Sequence, residues 1–470
     1  MAIVPLLLLI LPLLTTSTSP SHFHQFNVYE TLSSTKLNPS QIPKQPHQQQ
    51  QDEEPKWKLH LIHRDKITTT TVPNDHKTRF NARIKRDIKR VSSILHRLNN
   101  NINNNNYHPQ DAFGSGIVSG TDQGSGEYFV RIGVGTPPTY QYMVIDSGSD
   151  ILWVQCQPCN QCYNQSDPIF NPTQSASFAG VSCSSTVCNQ LDNNAACHQG
   201  RCRYEVSYGD GSYTEGTLAF ETLTFGPTLI RKTAIGCGHS NQGMFVGAAG
   251  LLGLGNGPMS FVGQLGDQTG GAFGYCLITR GTVSSSGSIQ FGRQAMPVGA
   301  IWVPLIHNPL FPSFYYVGLA GLGVGGLRVN ISEDVFRVTD SGDGGVVMDT
   351  GTAVTRFPTV AYVAFRDAFI AQTTNLPRLE SGVSIFDTCY DLNGFVSVRV
   401  PTVSFYFSGG QILTLPARNY LIPADDVGTF CFAFADSNSG LSIIGNIQQE
   451  GIQISIDGAN GFVGFGPNVC

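Results

Sequence analysis

Apolar side chains recur at helical intervals in one stretch of the first hundred residues. Intervals of 4, 4, 3, 4 and 3 residues separate Phe80, Ile84, Ile88, Val91, Leu95 and Leu98. This period places all six on one face of a helix. The basic side chains of the stretch are predicted to lie largely around that face: Arg83, Lys85, Arg86, Lys89, Arg90 and Arg97. We therefore predict an amphipathic, strongly basic helix.

Elsewhere the pattern favours short strands. Apolar and polar residues alternate from Trp57 to Ile62 with the period of a strand. Among 470 residues there are 52 glycines and 26 prolines, and 13% of the residues are charged. Such a composition suits many short strands joined by tight turns better than long helices. The body of the chain is therefore predicted to be all-β.

The N-terminus carries an apolar run of 12 residues from Ile3 to Leu14. A run this short is typical of a signal-peptide core, here residues 1–20, although a buried strand or helix is the alternative. The C-terminus lacks the hydrophobic tail of a lipid-anchor signal. We expect a secreted protein of the endomembrane pathway, with the vacuole as an alternative destination, and no stable membrane anchor.

Charge divides the chain into two parts. Residues 1–110 carry 14 basic and 7 acidic side chains, a formal charge of +7, whereas residues 111–470 carry 14 and 26, a charge of −12. A basic patch often indicates nucleic-acid binding. Here it lies in a segment that we expect to be removed, so no nucleic-acid partner is expected. A basic strand and helix, followed by an Asn-rich linker at 99–106, predict a propeptide over 21–110. The alternative is a helix that only solvates a domain.

The cysteines all lie beyond residue 150. They are Cys156, Cys159, Cys162, Cys183, Cys188, Cys197, Cys202, Cys237, Cys276, Cys389, Cys431 and Cys470. An even number behind a signal peptide indicates disulfides. Seven lie between Trp153 and Tyr208, so at least one pairs outside that stretch, and Cys237 is the candidate. Asn164 and Asn330 are N-glycosylation acceptors, which agrees with secretion.

The spacing of Cys156, Cys159 and Cys162 also fits part of a metal site. The sequence has no matching histidine or second cysteine pair at the spacing of zinc ligands. We therefore expect no metal and no cofactor.

The body contains an internal repeat. The segment Val144-Ile-Asp146-Ser-Gly-Ser149 is echoed 203 residues later by Val347-Met-Asp349-Thr-Gly-Thr352. An apolar-apolar-Gly element follows each copy, ending at Gly253, 107 residues after Asp146, and at Gly445, 96 residues after Asp349. The repeat predicts two related lobes that each bring one carboxylate to a shared cleft.

Two such aspartates suit the hydrolysis of peptide bonds. Carboxylates that face each other share one proton and titrate as a pair. The ionised member takes a proton from the attacking water, and the protonated member donates to the carbonyl oxygen. One Asp-Ser/Thr-Gly motif is ordinary turn chemistry, but two copies with matched companions favour catalysis. The body has no G-x-S-x-G or H-E-x-x-H motif, so other peptidase chemistries fit poorly.

With these motifs, residues Gly126 to Cys470 resemble the pepsin-type aspartic proteases. Within them the chain is most similar to the plant nepenthesin-like branch and its guard-cell aspartic proteases, and HLIHRD in the prosegment resembles that branch too. The resemblance implies a bilobal all-β fold, a peptide or protein substrate and a monomer. It divides the body into an N-terminal lobe at 111–320, with a cysteine-rich insertion at about 154–207, and a C-terminal lobe at 321–470.

The resemblance also implies roles for individual residues. Asp146 and Asp349 would be the catalytic pair. Ser149 and Thr352 would hydrogen-bond the outer carboxylate oxygens, and Ser147 and Thr350 would lock the two loops together. Tyr208 would be the flap tyrosine, with Trp153 as its hydrogen-bonding neighbour. Cys389 would pair with Cys431, and Cys276 with Cys470.

Two features depart from the family pattern. The first motif has serine where threonine is usual, which keeps the hydroxyl and loses a methyl. Residues 349–470 leave no room for the saposin-like insertion of the vacuolar plant enzymes, so that subgroup does not fit.

One rival function is a non-catalytic binding or inhibitor protein on the same fold, like the cereal xylanase inhibitors. Such proteins normally show a damaged dyad or flap, whereas this chain has both aspartates and the tyrosine. The sequence therefore predicts a secreted aspartic endopeptidase made as an acid-activated zymogen. Cleavage is expected roughly between Asn106 and Gly126.

Overall fold

The computed structural model describes residues 22–35, 58–64, 75–103, 128–191, 194–208, 212–243, 245, 247–278 and 287–466. The predicted signal peptide, the expected cleavage window from 106 to 126 and Cys470 lie outside the described residues. So do residues 209–211, at the tip of the predicted flap.

Strands dominate the body. The described residues up to 103 form β1 (Phe23–Asn27), α1 (Val28–Ser34), β2 (Lys58–His63) and α2 (His76–Asn103). The elements that follow up to residue 291 are β3 (Tyr128–Val134), β4 (Thr139–Asp146), β5 (Trp153–Gln155), β6 (Ala179–Gly180), α3 (Thr186–Asn189), β7 (Ala195–His198), β8 (Arg201–Ser207), β9 (Tyr213–Phe225), β10 (Thr228–Gln242), β11 (Gly250–Gly253), α4 (Phe261–Leu265), β12 (Ala272–Cys276) and β13 (Gly287–Phe291).

The elements after residue 300 are β14 (Ile301–Ile306), β15 (Tyr315–Val317), β16 (Leu319–Val324), β17 (Leu327–Arg328), β18 (Val346–Met348), β19 (Thr355–Phe357), α5 (Thr359–Ala371), β20 (Cys389–Asp391), β21 (Ser397–Pro401), β22 (Val403–Phe407), β23 (Ile412–Leu415), β24 (Leu421–Pro423), β25 (Thr429–Phe432), β26 (Phe434–Asp436), β27 (Ser442–Ile444), α6 (Asn446–Gln449), β28 (Gln453–Asp457) and β29 (Phe462–Phe465). The predicted all-β class is confirmed.

The two halves of the sequence repeat form equivalent strand pairs. In the first lobe β4 runs parallel to β11, with Ile145 opposite Leu252. In the second lobe β18 runs parallel to β27, with Val347 opposite Ile443. Each apolar-apolar-Gly element is therefore the partner strand of the strand that leads into an aspartate. An antiparallel sheet in the order β13, β12, β28, β29, β14 joins the lobes, and the predicted bilobal architecture is confirmed.

The segment ahead of residue 110 is packed into the body. Strand β1 pairs with β21, and β2 lies between β3 and β13, where Leu61 is opposite both Val130 and Gly287. The N-terminal part of α2 buries Phe80 in an apolar cluster with Val354. Its later part buries Ile94 in a second cluster with Ile443. The segment therefore contributes to the core of the described structure.

The buried face of α2 differs from the predicted apolar face. Ile88 is 40% exposed, whereas Ile94, absent from the predicted face, is fully buried. Three of the basic residues predicted to surround that face are buried instead: Arg83, Arg86 and Arg90. The cleft beneath the helix presents carboxylates, and these stabilise buried guanidinium groups. Charge therefore selects the buried face as much as apolarity does.

Disulfides hold the polar insertion. The described pairs are Cys156–Cys237, Cys159–Cys162, Cys183–Cys197, Cys188–Cys202 and Cys389–Cys431. Cys276 is also disulfide-bonded, and none of the described cysteines is free. The sulfurs of Cys156, Cys159 and Cys162 are all used in these bonds, which leaves none of them as a thiolate ligand for a metal.

Two further observations concern the surface. The glycosylation acceptors Asn164 and Asn330 are exposed, and their modification stays a prediction. Within the described ranges, no helix has both the length and the apolar character needed to cross a bilayer.

Candidate active site

The first aspartate sits in a loop that supplies its own hydrogen-bond donors. The three residues of β4 before the aspartate, Met143 to Ile145, are apolar and buried, and Asp146 ends the strand with 1% exposure. The backbone N–H of Gly148 donates to Oδ1 of Asp146 at 3.0 Å, and the hydroxyl of Ser149 donates to Oδ2 at 2.8 Å. Hydrogen bonds of this kind stabilise the ionised carboxylate in a buried setting.

The second aspartate repeats this geometry at the end of β18. Asp349 is fully buried. The backbone N–H of Gly351 donates to its Oδ1 at 3.0 Å, and the hydroxyl of Thr352 donates to its Oδ2 at 2.6 Å. In each loop the hydroxyl predicted to support the aspartate thus lies on Oδ2. Serine in place of threonine in the first loop does not alter the pattern.

The two loops are joined by a reciprocal pair of hydrogen bonds. The backbone N–H of Ser147 donates to Oγ1 of Thr350 at 3.1 Å, and the backbone N–H of Thr350 donates to Oγ of Ser147 at 3.0 Å. This pairing holds the carboxylates face to face, and it explains the glycine of each motif. A Cβ added at Gly148 would lie 2.9 Å from Oδ1 of Asp349, while one added at Gly351 would lie 2.9 Å from Oδ1 of Asp146.

A guanidinium group from α2 occupies the space between the carboxylates. Arg90 donates from Nη1 to Oδ2 of Asp146 at 3.0 Å and from Nη2 to Oδ1 at 2.6 Å. It also donates from Nη2 to Oδ1 of Asp349 and from Nε to Oδ2, both at 3.0 Å. All four carboxylate oxygens therefore accept from one side chain, which is itself 3% exposed.

The electrostatics of this contact are strong. Burial alone would raise the pKa of Asp349, but the charge and hydrogen bonds of Arg90 outweigh it and lower that pKa below its ordinary value. Burial likewise opposes the charged form of Arg90, yet the two carboxylates raise its pKa. Burial and the like charge of Arg90 lower the pKa of Arg97, whose Nη1 donates to the carbonyl of Gly148. The Asp349 carboxylate is therefore held ionised beneath the helix.

A second charged contact lies one helical turn before Arg90. Oδ1 of Asp87 accepts from the backbone N–H groups of Ala353 and Val354 at 2.7 and 2.8 Å. Oδ2 of Asp87 accepts from Nη2 of Arg356 at 2.5 Å. Asp87 is 2% and Arg356 6% exposed. The helix is thus fixed to the loop that follows Asp349 as well as to Asp349 itself.

The predicted flap residues are placed together beside the site. The hydroxyl of Tyr208 accepts a hydrogen bond from Nε1 of Trp153 at 3.2 Å. Trp153 is fully buried on β5, and Tyr208 packs against Phe245 with ring centroids 5.6 Å apart. Burial raises the pKa of Tyr208 despite the hydrogen bond from Trp153, so its hydroxyl stays neutral. Its role as a flap stays a prediction.

Sequence reasoning grouped Arg90 with the basic residues around the apolar face of the helix and assigned nothing to Asp87 or Arg356. One signal was present. Asp87 is the only acidic residue between His76 and Asn103, and it lies four residues after Arg83 and three before Arg90, on one helix face. An acidic residue within a basic helical stripe indicates that the stripe contacts a surface with charges of both signs.

Comparisons with known proteins agree with this geometry. The family models described as xylanase inhibitor N-terminal and C-terminal match residues 128–293 and 314–467. The Arabidopsis thaliana protein named aspartic protease in guard cell 2 is 68% identical over 88% of this chain and 88% of its own length. Aspartyl protease family protein 2 of the same plant is 48% identical over 88% and 85% of the two chains. Aspartic proteinase nepenthesin-1 of Nepenthes gracilis is 38% identical over 88% and 93%.

Solved structures show the same fold at low identity. Conglutin gamma from lupine seeds is 21% identical, with a TM-score of 0.58 over 73% of this chain and 92% of that one. The basic 7S globulin from soybean is 20% identical, with a TM-score of 0.58 over 72% and 92%. These two likenesses support the two-lobed architecture.

Proposed function

Because this chain belongs to the pepsin-type aspartic proteases of plants and is an aspartic endopeptidase acting on peptides or proteins, we propose that it is made as a zymogen blocked by Arg90. The observation that carries the proposal is the occupation of all four oxygens of Asp146 and Asp349 by one guanidinium group. Neither a water nor a substrate carbonyl fits between the carboxylates while Arg90 is there.

Removal of the prosegment starts the chemistry. Without the Arg90 cation, two facing carboxylates cannot both ionise cheaply, so the pair holds one proton. The ionised member takes a proton from a water whose oxygen attacks the peptide carbonyl carbon, and the protonated member donates to the carbonyl oxygen. Ser149 and Thr352 keep the outer oxygens occupied, so the inner oxygens face the substrate. Tyr208 closes over the substrate from the side.

Release of the prosegment depends on acid. At neutral pH the +7 segment is attracted to the −12 body. Because the Asp349 pKa is lowered in the blocked form, its contribution to prosegment binding is present above the ordinary pKa. That contribution is lost only as the pH falls through the lowered value. We therefore expect little activity at pH 7 and activation at about pH 3–5 on the carboxylate scale, with the Arg90 contact among the last to release.

Secretion is part of the same proposal. The apolar N-terminal run, the absence of a free thiol among the described cysteines and the exposed acceptors Asn164 and Asn330 support an oxidising, extracellular or vacuolar destination. The protein acts as a monomer without a membrane anchor.

The rival function is a catalytically inactive binding or inhibitor protein. The family-model descriptions name xylanase inhibitors. The relatives at 68% and 48% identity, however, are named as aspartic proteases. The presence of both aspartates and of the Tyr208–Trp153 pair also favours the enzyme.

The test combines processing with peptidase activity. The full chain is incubated between pH 3 and 7, its new N-terminus is sequenced, and cleavage of a peptide library is followed with and without pepstatin. We expect a start between Asn106 and Gly126, pepstatin-sensitive activity at acidic pH, and none from Asp146→Ala or Asp349→Ala. Equal activity of the uncut chain at pH 7, or a mature chain that retains α2, would contradict the zymogen proposal.

A further inference from the structure

We propose that the mature enzyme has an anion-binding subsite, formed by Arg356 and the backbone N–H groups of Ala353 and Val354, that selects substrates with an acidic side chain near the scissile bond. The inference rests on the proposed function, because it takes the Asp87 carboxylate as a stand-in for a substrate carboxylate. The chemical class of the ligand is an aspartate or glutamate side chain of an extended peptide.

The site is already built in the blocked chain. Three donors converge on Asp87, two at its Oδ1 and one at its Oδ2. Asp87 is the only acidic partner of Arg356 in the described structure. The other hydrogen bond of Arg356 is a long one of 3.4 Å from Nη1 to the carbonyl of Asp436, and its buried Nε has no partner among the described residues.

Loss of the prosegment leaves this site with unmatched charge. Asp87 departs with α2, whereas Arg356, Ala353 and Val354 belong to the body. A guanidinium group and two N–H groups then face the cleft with no counter-ion, and a carboxylate is the group that satisfies all of them at once. A neutral glutamine side chain supplies an acceptor but no charge.

Distance along the helix locates the matching substrate position. Asp87 precedes Arg90 by three residues, about 4.5 Å along a helix axis. An extended peptide advances about 3.3 Å per residue. Since Arg90 marks the dyad, the acidic side chain belongs within about two residues of the scissile bond.

The experiment compares peptides that differ by one charge. Acid-activated enzyme is assayed at pH 5, where free glutamate is ionised, on a set with Glu or Gln at each of four positions on either side of the cleaved bond. We expect the Glu-to-Gln ratio of kcat/KM to be about tenfold or more at one position, because hydrogen bonds to charged groups are the strong ones. In Arg356→Gln the ratio should fall to about one, and Arg356→Glu should favour Lys at that position.

Controls separate the possible failures. Arg418→Gln removes an exposed arginine of the same lobe and should keep the wild-type ratio. Mature enzyme from an Asp87→Asn zymogen should also keep it, because that residue leaves with the prosegment. If the Arg356→Gln zymogen misfolds, the double variant Asp87→Asn with Arg356→Gln removes both charges of the contact, and its mature form is used in the same assay.

Two results overturn the idea in different ways. Wild-type enzyme that cleaves Gln and Glu peptides equally at every position, or a Glu preference that survives Arg356→Gln, overturns the subsite and leaves the protease intact. A wild-type preparation that cleaves no peptide beyond the Asp349→Ala background overturns the proposed function, and the subsite with it.

Discussion

Trp153 and Arg356 occupy equivalent places in the two lobes. Each lies seven residues after its aspartate and pairs with the first residue of the apolar-apolar-Gly element, Leu251 in one lobe and Ile443 in the other. Trp153 donates to Tyr208, the predicted flap residue, whereas Arg356 donates to Asp87 of α2, in the proposed prosegment. The repeat therefore preserves the geometry around the two carboxylates. It diverges seven residues later, where Trp153 contacts a residue of its own lobe and Arg356 contacts helix α2 in the cleft.

The largest expected effect concerns the two aspartates, where the lobes have the same geometry. Asp146→Asn and Asp349→Asn should each lower kcat by about 10³-fold or more, because each removes one half of a shared-proton pair. Peptidase activity and self-cleavage after acid incubation are the measurements, with Asp367→Asn as an exposed control in the second lobe. Substantial activity in either variant would show that the two aspartates are not equivalent.

The next effect concerns the cation between the lobes. Arg90→Gln leaves two buried carboxylates without a counter-ion and should weaken prosegment binding by about 3–5 kcal/mol. Without the guanidinium group, burial dominates and raises the pKa of Asp349. At neutral pH the ionised carboxylates then oppose prosegment binding, so the helix should be released at pH values where the wild-type helix stays bound. The measurement is the rate of processing against pH.

The matched control for Arg90 is Lys85→Gln, which changes an exposed basic residue of the same helix and should leave the processing profile in place. An Arg90→Gln profile that coincides with wild type would mean that Arg90 does not set the pH of release.

A smaller effect compares the hydroxyls of the two loops. Ser149→Ala and Thr352→Val each remove a hydrogen bond to an ionised carboxylate, worth about 1.5–3 kcal/mol. The acid limb of the pH profile of kcat/KM should therefore move up by about one unit or more in both variants. Thr352→Ser keeps the hydroxyl and should keep the wild-type profile. A shift in only one lobe would break the equivalence of the loops.

The smallest effect distinguishes the roles of Trp153 and Arg356, the positions at which the lobes differ. Trp153→Phe removes one neutral hydrogen bond, worth about 1 kcal/mol, and should lower kcat/KM about fivefold on Glu and Gln peptides alike. The Glu-to-Gln ratio should change only in Arg356 variants. A ratio altered equally by both substitutions would show that these positions act through overall cleft shape, and not through the separate contacts described above.

Much of the chemistry was accessible from residue order alone. The repeated Asp-Ser/Thr-Gly motif with its companions predicted two lobes and one aspartate from each, because strand period and turn chemistry are local properties. Charge counts separated a basic segment, predicted to be a propeptide, from an acidic body. The even number of cysteines predicted disulfides but left the pairing within the insertion open, since several pairings satisfy the same count.

Only the tertiary structure decided which charged side chains contact each other. The period of α2 places Ile88 on the apolar face and Arg90 beside that face, whereas Ile88 is 40% exposed and Arg90 is buried. The burial of an arginine depends on partners 56 and 259 residues away in the chain, Asp146 and Asp349, and helical periodicity contains no information about them. The same holds for Asp87 and Arg356, 269 residues apart. Local pattern determined the elements and the catalytic motifs, and long-range electrostatics determined what fills the cleft.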